Sequence, residues 1–425
     1  MSVKEAYLKN IFRLFQHEIY KKYFFYQLFS YIGTWVQSTA QSWLIYKLTN
    51  SAFFLGLVGF AGSLPALLLA PFSGVVSDQF KKRNVLLITQ ILCLSQVIIL
   101  AALYFTHIIN KWHILFLAVL LGIVNSFDVT ARLAFIPFLV SRNGLINAIA
   151  LNSSMFNVAR IIGPSIAGIL IASFNEGLCF LINLVSYIPI ILFIGKIPDQ
   201  EKPVKGSIAP LFHLKEGVEF VFSNKPVKML LMLVGVSSFC GMSYASIMPI
   251  FSDQILHSGA KGLGYLMGCS GIGAVCGGIY LANRSVIYGV KKIIAFCSVL
   301  FPICLLGFSF SKIFYLSAFL LFIMGFCFMI INAGSNTLLQ SMSPDSLRGR
   351  IIGFYSMMFM GMFPLGSLTV GCLAHNFGAS IAVSAGAVTC LIFGLYFCMI
   401  EPKLSKEAKI LYEAKCKLDC VEQTS

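Results

Sequence analysis

The sequence predicts an all-α integral membrane fold of twelve transmembrane helices in two six-helix bundles, and three observations lead there. Of its 425 residues, 58% are hydrophobic and 11% charged, where soluble domains carry about 25% charged residues. The mean hydropathy is +0.86. Twelve apolar segments, each long enough to cross a bilayer, follow one another with short connections. Finally, basic residues alternate with the turns: 25 of the 31 Lys and Arg fall on one side if both termini are cytoplasmic, and only Lys47, Lys111, Lys261 and Lys312 on the other. That bias is the positive-inside rule, and it requires an even number of spans.

Residues 1–22 form an N-terminal cytoplasmic segment in which Leu8, Ile11, Phe12, Leu14 and Phe15 alternate at helical spacing with Lys4, Lys9 and Arg13. This is the pattern of a short helix lying on the membrane surface, and it lacks the apolar core and cleavage site of a secretory signal. Segments 23–46, 52–77, 84–106, 112–138, 145–173 and 176–196 make a first bundle, 23–196. A cytoplasmic linker, 197–227, carries Pro198, Pro203 and Pro210 and an amphipathic stretch over 213–222. Segments 228–257, 262–285, 290–311, 313–342, 349–374 and 378–400 make a second bundle, 228–400, and 401–425 is a cytoplasmic tail. The halves echo each other: GPSIAGIL in the fifth segment is answered by FPLGSLTVG in the eleventh. Repetition of this kind marks transporter folds built from duplicated units.

Composition excludes several classes. The net charge of +15 is spent on topology, so no nucleic-acid partner is expected. Thirteen cysteines are scattered without a CxxC pair, Cys416 and Cys420 offer two ligands and no more, and the six His residues do not cluster. They read as packing residues, with neither metal nor cofactor. No GxxxxGK[ST] loop is present, which disfavours ATP-driven export, and no Ser/His/Asp set points to an enzyme.

Charges inside the spans are the functional signal, because each costs several kcal/mol unless it lines a polar pathway or finds a partner. Arg160 sits mid-span beside Asn157 in NVARIIGPSIAG. Asp128 and Arg132, four apart, share one face of the fourth span and can neutralise each other. At 1.5 Å per residue, Asp128 lies roughly 15 Å and Arg160 roughly 20 Å from the cytoplasmic ends of their spans, so the three can share a network. Two roles are open for Asp128: a proton-carrying carboxylate, or a structural relay. Pairing with Arg favours the relay and leaves Arg160 to meet substrate.

Five separated blocks carry a family resemblance: GTWVQSTAQSWLIYKLTNSAFFLG from Gly33, GVVSDQFKKR over 74–83, FDVTARLAFIPFLV from Phe127, NAIALNSSMFNVARIIGPSIAG from Asn147 and NTLLQSMSPDSLRGR from Asn336. In kind and order they resemble the major facilitator superfamily, in its bacterial efflux branch with enterobactin-type siderophore exporters and macrolide efflux proteins. The resemblance implies an inner gate at Gly74, Asp78, Lys82 and Arg83, with Gln79 and Lys81 departing from the usual loop signature, and adds Arg348 and Arg350 from the matching later block. It implies an antiporter hinge at Gly163, Pro164 and Gly168, and a cavity wall from spans 1, 4, 7 and 10 that carries Gln37, Gln41, Asn125, Tyr244, Asn332 and Asn336. Amides and hydroxyls without a cavity carboxylate suit a large, hydrogen-bonding, neutral or anionic cargo.

The function implied is secondary active export of a small amphipathic molecule across the inner membrane by proton antiport, from a monomer whose partners are substrate, protons and lipid. A siderophore and a drug-like compound are both open as cargo, and a proton-coupled importer would share the fold.

Overall fold

The computed structural model describes residues 14–140, 144–198, 214–283 and 287–422. Among them the secondary structure is helical throughout. The helices are α1 Glu18–Thr49, α2 Ala52–Gln79, α3 Lys82–Phe105, α4 Lys111–Phe135, α5 Leu145–Ser173, α6 Glu176–Lys196, α7 Leu214–Ser223, α8 Lys225–Val236, α9 Gly259–Ala282, α10 Ile287–Phe310, α11 Phe314–Met342, α12 Asp345–Ser356, α13 Met362–Phe377 and α14 Ala379–Glu422. Eleven segments among the described residues are long and apolar enough to cross a membrane. The twelfth of the sequence reading, α1, is 32 residues long and misses that threshold for a visible reason. It carries Gln27, Ser30, Gln37, Thr39 and Gln41, all buried inside the protein, so its polarity faces neighbouring helices.

Local chemistry sets the ends. Asn110 caps α4 by accepting from the backbone N–H of Trp112 and His113, both at 3.0 Å, and Asn175 caps α6 through Leu178 N–H at 3.1 Å. Asn50 ends α1 in the left-handed conformation, at φ 46°. Two elements depart most from the sequence reading. The last helix runs through Pro402 to Glu422, so the span and part of the tail are one element. The seventh span is not a regular helix: after α8 it passes through a π-helical stretch, Ser237–Gly241, a 3-10 stretch, Met242–Ile247, one short turn and a second π stretch, Phe251–Ile255. Serines in this run bond back to main-chain carbonyls, Ser237 to Val234 O at 2.9 Å and Ser243 to Ser238 O at 3.4 Å, and compete with the regular ladder. A third π stretch of the same length, Met357–Gly361, separates α12 from α13.

The chain forms two compact units. The first comprises 1–50, 61–207 and 257–268, and the second 51–60, 208–256 and 269–425. In the first, α1 packs along α5 and α6, and α3 packs along α4 and α6. At one end of this unit Tyr20, Tyr23, Leu86, Phe135, Ile136, Ile190 and Ile194 form a buried apolar cluster. In the second, α10 packs between α11 and α14.

Glycines hold the tightest contacts. In the first unit a Cβ on Gly168 of α5 would lie 2.8 Å from Gly264 Cα and 2.7 Å from Ala260 O of α9. In the second a Cβ on Gly371 of α13 would lie 2.8 Å from Gly56 Cα and 2.9 Å from Ala52 O of α2. The GPSIAG and GSLTVG echo is therefore an echo in packing: each motif supplies a glycine against which the first turns of another helix lie, the small-residue contact typical of membrane helices.

Candidate functional site

In the first unit the polar residues of the spans assemble into layers. The first is built on Asp128. Its Oδ1 accepts from Thr89 Oγ1 at 2.8 Å and Gln90 Nε2 at 2.6 Å, both on α3. Its Oδ2 accepts from Arg132 Nε at 3.1 Å and from Arg132 Nη2. Asp128 is 4% and Arg132 5% exposed, so the pair is shielded from both lipid and water. The guanidinium lies over the Tyr31 ring of α1, 4.7 Å from its centre, a cation–π contact. Tyr31 in turn reaches α5, its hydroxyl 3.5 Å from Asn152 Oδ1 and its ring 5.5 Å from that of Phe156. One charge pair thus ties four helices together. Arg132 Nη1, Gln90 Oε1, the Tyr23 hydroxyl and both amide atoms of Gln27 are buried around it without a hydrogen-bond partner in the protein.

A second layer is made of amides. Gln37 of α1 donates to Gln96 Oε1 of α3 at 3.1 Å and accepts from Asn183 Nδ2 of α6 at 2.5 Å, while Ser186 Oγ donates to Asn183 Oδ1 at 3.0 Å. The third layer, at the far end of α1, pairs Lys47 Nζ with the buried Glu176 Oε1 at 2.8 Å, and Tyr104 donates to Oε2 at 2.9 Å.

The remaining first-unit candidates fall as follows. Gln41 is buried, Asn125 is half-buried, and Asn157 donates to Ser153 O of its own helix at 2.9 Å. Arg160 is half-buried at mid-α5. It follows Phe156 by four residues and precedes Gly163 by three, and a Cβ on Gly163 would meet Trp35 of α1. That spacing puts Arg160 at the edge of the α5 face that packs on α1. α5 runs unbroken through Pro164. Gly74 lies in α2, where an added Cβ would meet nothing within 4 Å. Asp78 lies in the last turn of α2, and its side chain is outside the described residues. Lys82 stands 5.5 Å from the Phe138 ring, and Arg83 donates to the last carbonyls of α6, Ile194 O at 3.0 Å and Gly195 O at 2.6 Å. The basic loop residues are thus engaged within their own unit.

In the second unit Tyr244 sits in the irregular part of span seven, buried, with its hydroxyl 3.5 Å from Ser270 Oγ. Asn332 bonds back to Phe328 O at 2.9 Å, its Oδ1 is buried without a hydrogen-bond partner, and its carbonyl accepts from Tyr355 OH at 3.3 Å. Asn336 accepts from Gln340 at 3.1 Å, whose Oε1 accepts from Arg348 at 2.9 Å. Arg350 is half-buried in α12.

This is a helical membrane protein with charged and amide networks inside its spans and an irregular seventh span. The profile of the family described as transmembrane secretion effector matches residues 10–418. The chain belongs to that family. Its relatives include the staphyloferrin A transporter of Staphylococcus aureus, 25% identical over 400 residues, 90% of this chain and 96% of that protein. The multidrug efflux pump Tap of Mycolicibacterium fortuitum is 24% identical over 85% of this chain and 91% of its own. The enterobactin exporter EntS of Escherichia coli is 23% identical over 95% and 96%. Among solved structures, a peptide transporter (POT) superposes with a TM-score of 0.71 at 11% identity, covering 91% of this chain and 94% of its own. The nucleoside transporter NupG gives 0.69 at 14%, covering 92% and 99%. The fold is that of the major facilitator superfamily.

Some parts of this secretion effector's site escape sequence reasoning. Thr89 and Gln90 stand as an unremarked polar pair in an apolar run, and Tyr31 reads as one aromatic among many. Their signal is the polarity itself, since a Gln inside a span needs a partner as a charge does. Glu176 and Lys47 sit at segment ends, where charge is ordinary.

Proposed function

We propose that this protein is a secondary carrier, not an enzyme, which exports a small, amphipathic, hydrogen-bonding molecule across the plasma membrane by proton antiport, alternating between inward- and outward-open states. The observation that carries the proposal is membership of the secretion effector family over nearly the whole chain, joined to buried charge inside the spans. In this reading the bundles are 23–196 and 228–400, which differ from the two compact units at 51–60 and 257–268, both termini are cytoplasmic, and the carrier acts as a monomer. Arg160, with Asn157, Gln41, Asn125, Tyr244, Asn332 and Asn336, meets the substrate. Asp128 and Arg132 act as a relay that fixes α1, α3, α4 and α5, with Gln37 holding the next layer. Gly74, Asp78, Lys82, Arg83, Arg348 and Arg350 serve the inner gate, and Gly163, Pro164 and Gly168 the hinge.

A cargo of the siderophore kind is supported by two of the relatives, the staphyloferrin A transporter and the enterobactin exporter. Broad drug efflux is the second reading, favoured by the match to Tap. Membrane potential supplies about 2.3 kcal/mol per charge per 100 mV, enough for a concentration ratio of roughly 50-fold per proton before any pH gradient. The test compares, by mass spectrometry, iron-starved medium and cell contents of the parent organism and a deletion strain. A chelator lost from the medium and retained in cells supports siderophore export; unchanged chelator with raised drug susceptibility supports efflux. Replacing Arg160 with Ala should abolish export while the protein still inserts, and full export by that variant would remove Arg160 from the pathway.

A further inference from the structure

A cleft of about 750 Å³ opens in the first unit between the start of α1, the start of α3, the turn after α4 and the end of α6. It shares no residue with the three polar layers. Its walls include Ile19, Phe138 and Leu192, which are 57%, 49% and 59% exposed. Among the described residues its rim carries Lys22, Arg83 and Lys196 against one acid, Glu18. Glu18 lies 3.5 Å from Lys22 and 4.0 Å from Lys21, but all three are highly exposed, and ion pairs of that kind contribute little. Arg83 directs Nε and Nη2 to α6 carbonyls, while Nη1 keeps only a 3.5 Å contact with Asn84.

Apolar walls and a cationic rim ask for different things, and only an amphiphile supplies both. A free anion satisfies the rim and leaves the walls uncovered; a zwitterionic lipid covers the walls and leaves the cations without net neutralisation. Basic pockets between helix ends at a membrane surface are suited to acidic head groups. We propose that the cleft binds one acidic phospholipid, with its phosphodiester at Lys22, Arg83 and Lys196 and acyl chain against Ile19, Phe138 and Leu192. The inference rests on the membrane-embedded fold and not on export. Because Arg83 also holds the end of α6, a bound head group would brace the loop between α2 and α3.

The test is native mass spectrometry of the purified full chain offered equal amounts of phosphatidylglycerol and phosphatidylcholine with matched acyl chains. The parent should retain phosphatidylglycerol in preference. Each basic residue near such a head group contributes roughly fivefold, so Lys22→Gln/Lys196→Gln should lose about 30-fold in phosphatidylglycerol retention. A charge-matched control, Lys111→Gln/Lys312→Gln, should keep it. Leu192→Trp, which narrows the cleft at its apolar wall without changing charge, should weaken retention of lipid of both kinds. Melting in phosphatidylcholine alone shows whether each variant is folded, and Lys196→Gln alone, at an exposed position, replaces the pair if it is not. Unchanged preference in the lysine variants overturns the proposal. So does displacement of the lipid by inorganic phosphate with no effect of Leu192→Trp, which would mark a phosphate contact only.

Discussion

Removing the charge of Asp128 separates the two roles its position allows. In Asp128→Asn the amide oxygen can still accept from Thr89 and Gln90, which lie 2.8 and 2.6 Å from Oδ1. What is lost is the counter-charge of Arg132, a side chain 5% exposed whose Nη1 already lacks a hydrogen-bond partner. Breaking a buried pair from one side costs about 3–5 kcal/mol, because the survivor stays buried and charged. Arg132→Leu should cost a similar amount, since it leaves the Asp128 carboxylate facing only neutral donors. The double variant Asp128→Asn/Arg132→Leu removes both charges and keeps the acceptor, so it should cost only about 1–2 kcal/mol, mainly the lost contact with Tyr31.

The assay is a double-mutant cycle on denaturation of the purified protein, run beside uptake into inverted vesicles with and without an imposed pH gradient. For a relay the coupling energy should exceed about 2 kcal/mol. The double variant should also recover transport that still responds to the gradient, because four donors already occupy the carboxylate and a proton there would displace one of them. The reasoning is refuted if Asp128→Asn unfolds as the parent does and transports without responding to the gradient. That pair of results would make Asp128 the proton carrier.

Other expectations follow from the same layers. Gln37→Leu leaves Gln96 Oε1 and Asn183 Nδ2 short of their partners in a buried layer, at a cost of about 2–4 kcal/mol, measurable by denaturation and absent for substitution of the exposed Ser38. Lys47→Met strips a buried carboxylate of its charge partner and should destabilise by about 2–3 kcal/mol, whereas Lys47→Met/Glu176→Gln should recover most of it, since Tyr104 can still donate to the amide oxygen. Gly168→Val places methyl groups where Gly264 Cα already lies within 2.8 Å of a Cβ position. Separating α5 from the start of α9 should cost about 1–3 kcal/mol, read as faster disulfide formation's opposite: a cysteine pair at Ser165 and Gly268 should cross-link more slowly in that background.

How much of this was legible in the sequence depended on what kind of signal each residue leaves. Hydropathy places the spans, because bilayer thickness acts on local sequence. Asp128 and Arg132 stand out for the same reason, and their four-residue spacing makes them partners. α1 is the weakest case for hydropathy: segment 23–46 reads as a span, yet its glutamines and serines lower the average of a helix whose polar face is buried in the first unit. The irregular seventh span left traces in Ser237, Ser238, Gly241 and Pro249, but such residues also occur in regular spans, and only their hydrogen bonds show which ladder they join.

The same distinction decides what the basic loop residues mean. From sequence alone Lys82 and Arg83 can only be matched to a family loop signature, which points toward a gate. In the structure Arg83 closes two carbonyls at the end of α6 and Lys82 stands against Phe138 at the end of α4, so both residues already have work inside the first unit. A gate role must therefore act through the placement of α6 and of the loop, not through a free cation awaiting a partner. Arg83→Lys separates these: it keeps the charge and loses the two-carbonyl fork. If charge alone matters, Arg83→Lys should export as the parent does and Arg83→Gln should not. If the fork matters, both should fail alike, and the end of α6 should exchange amide hydrogens faster in each.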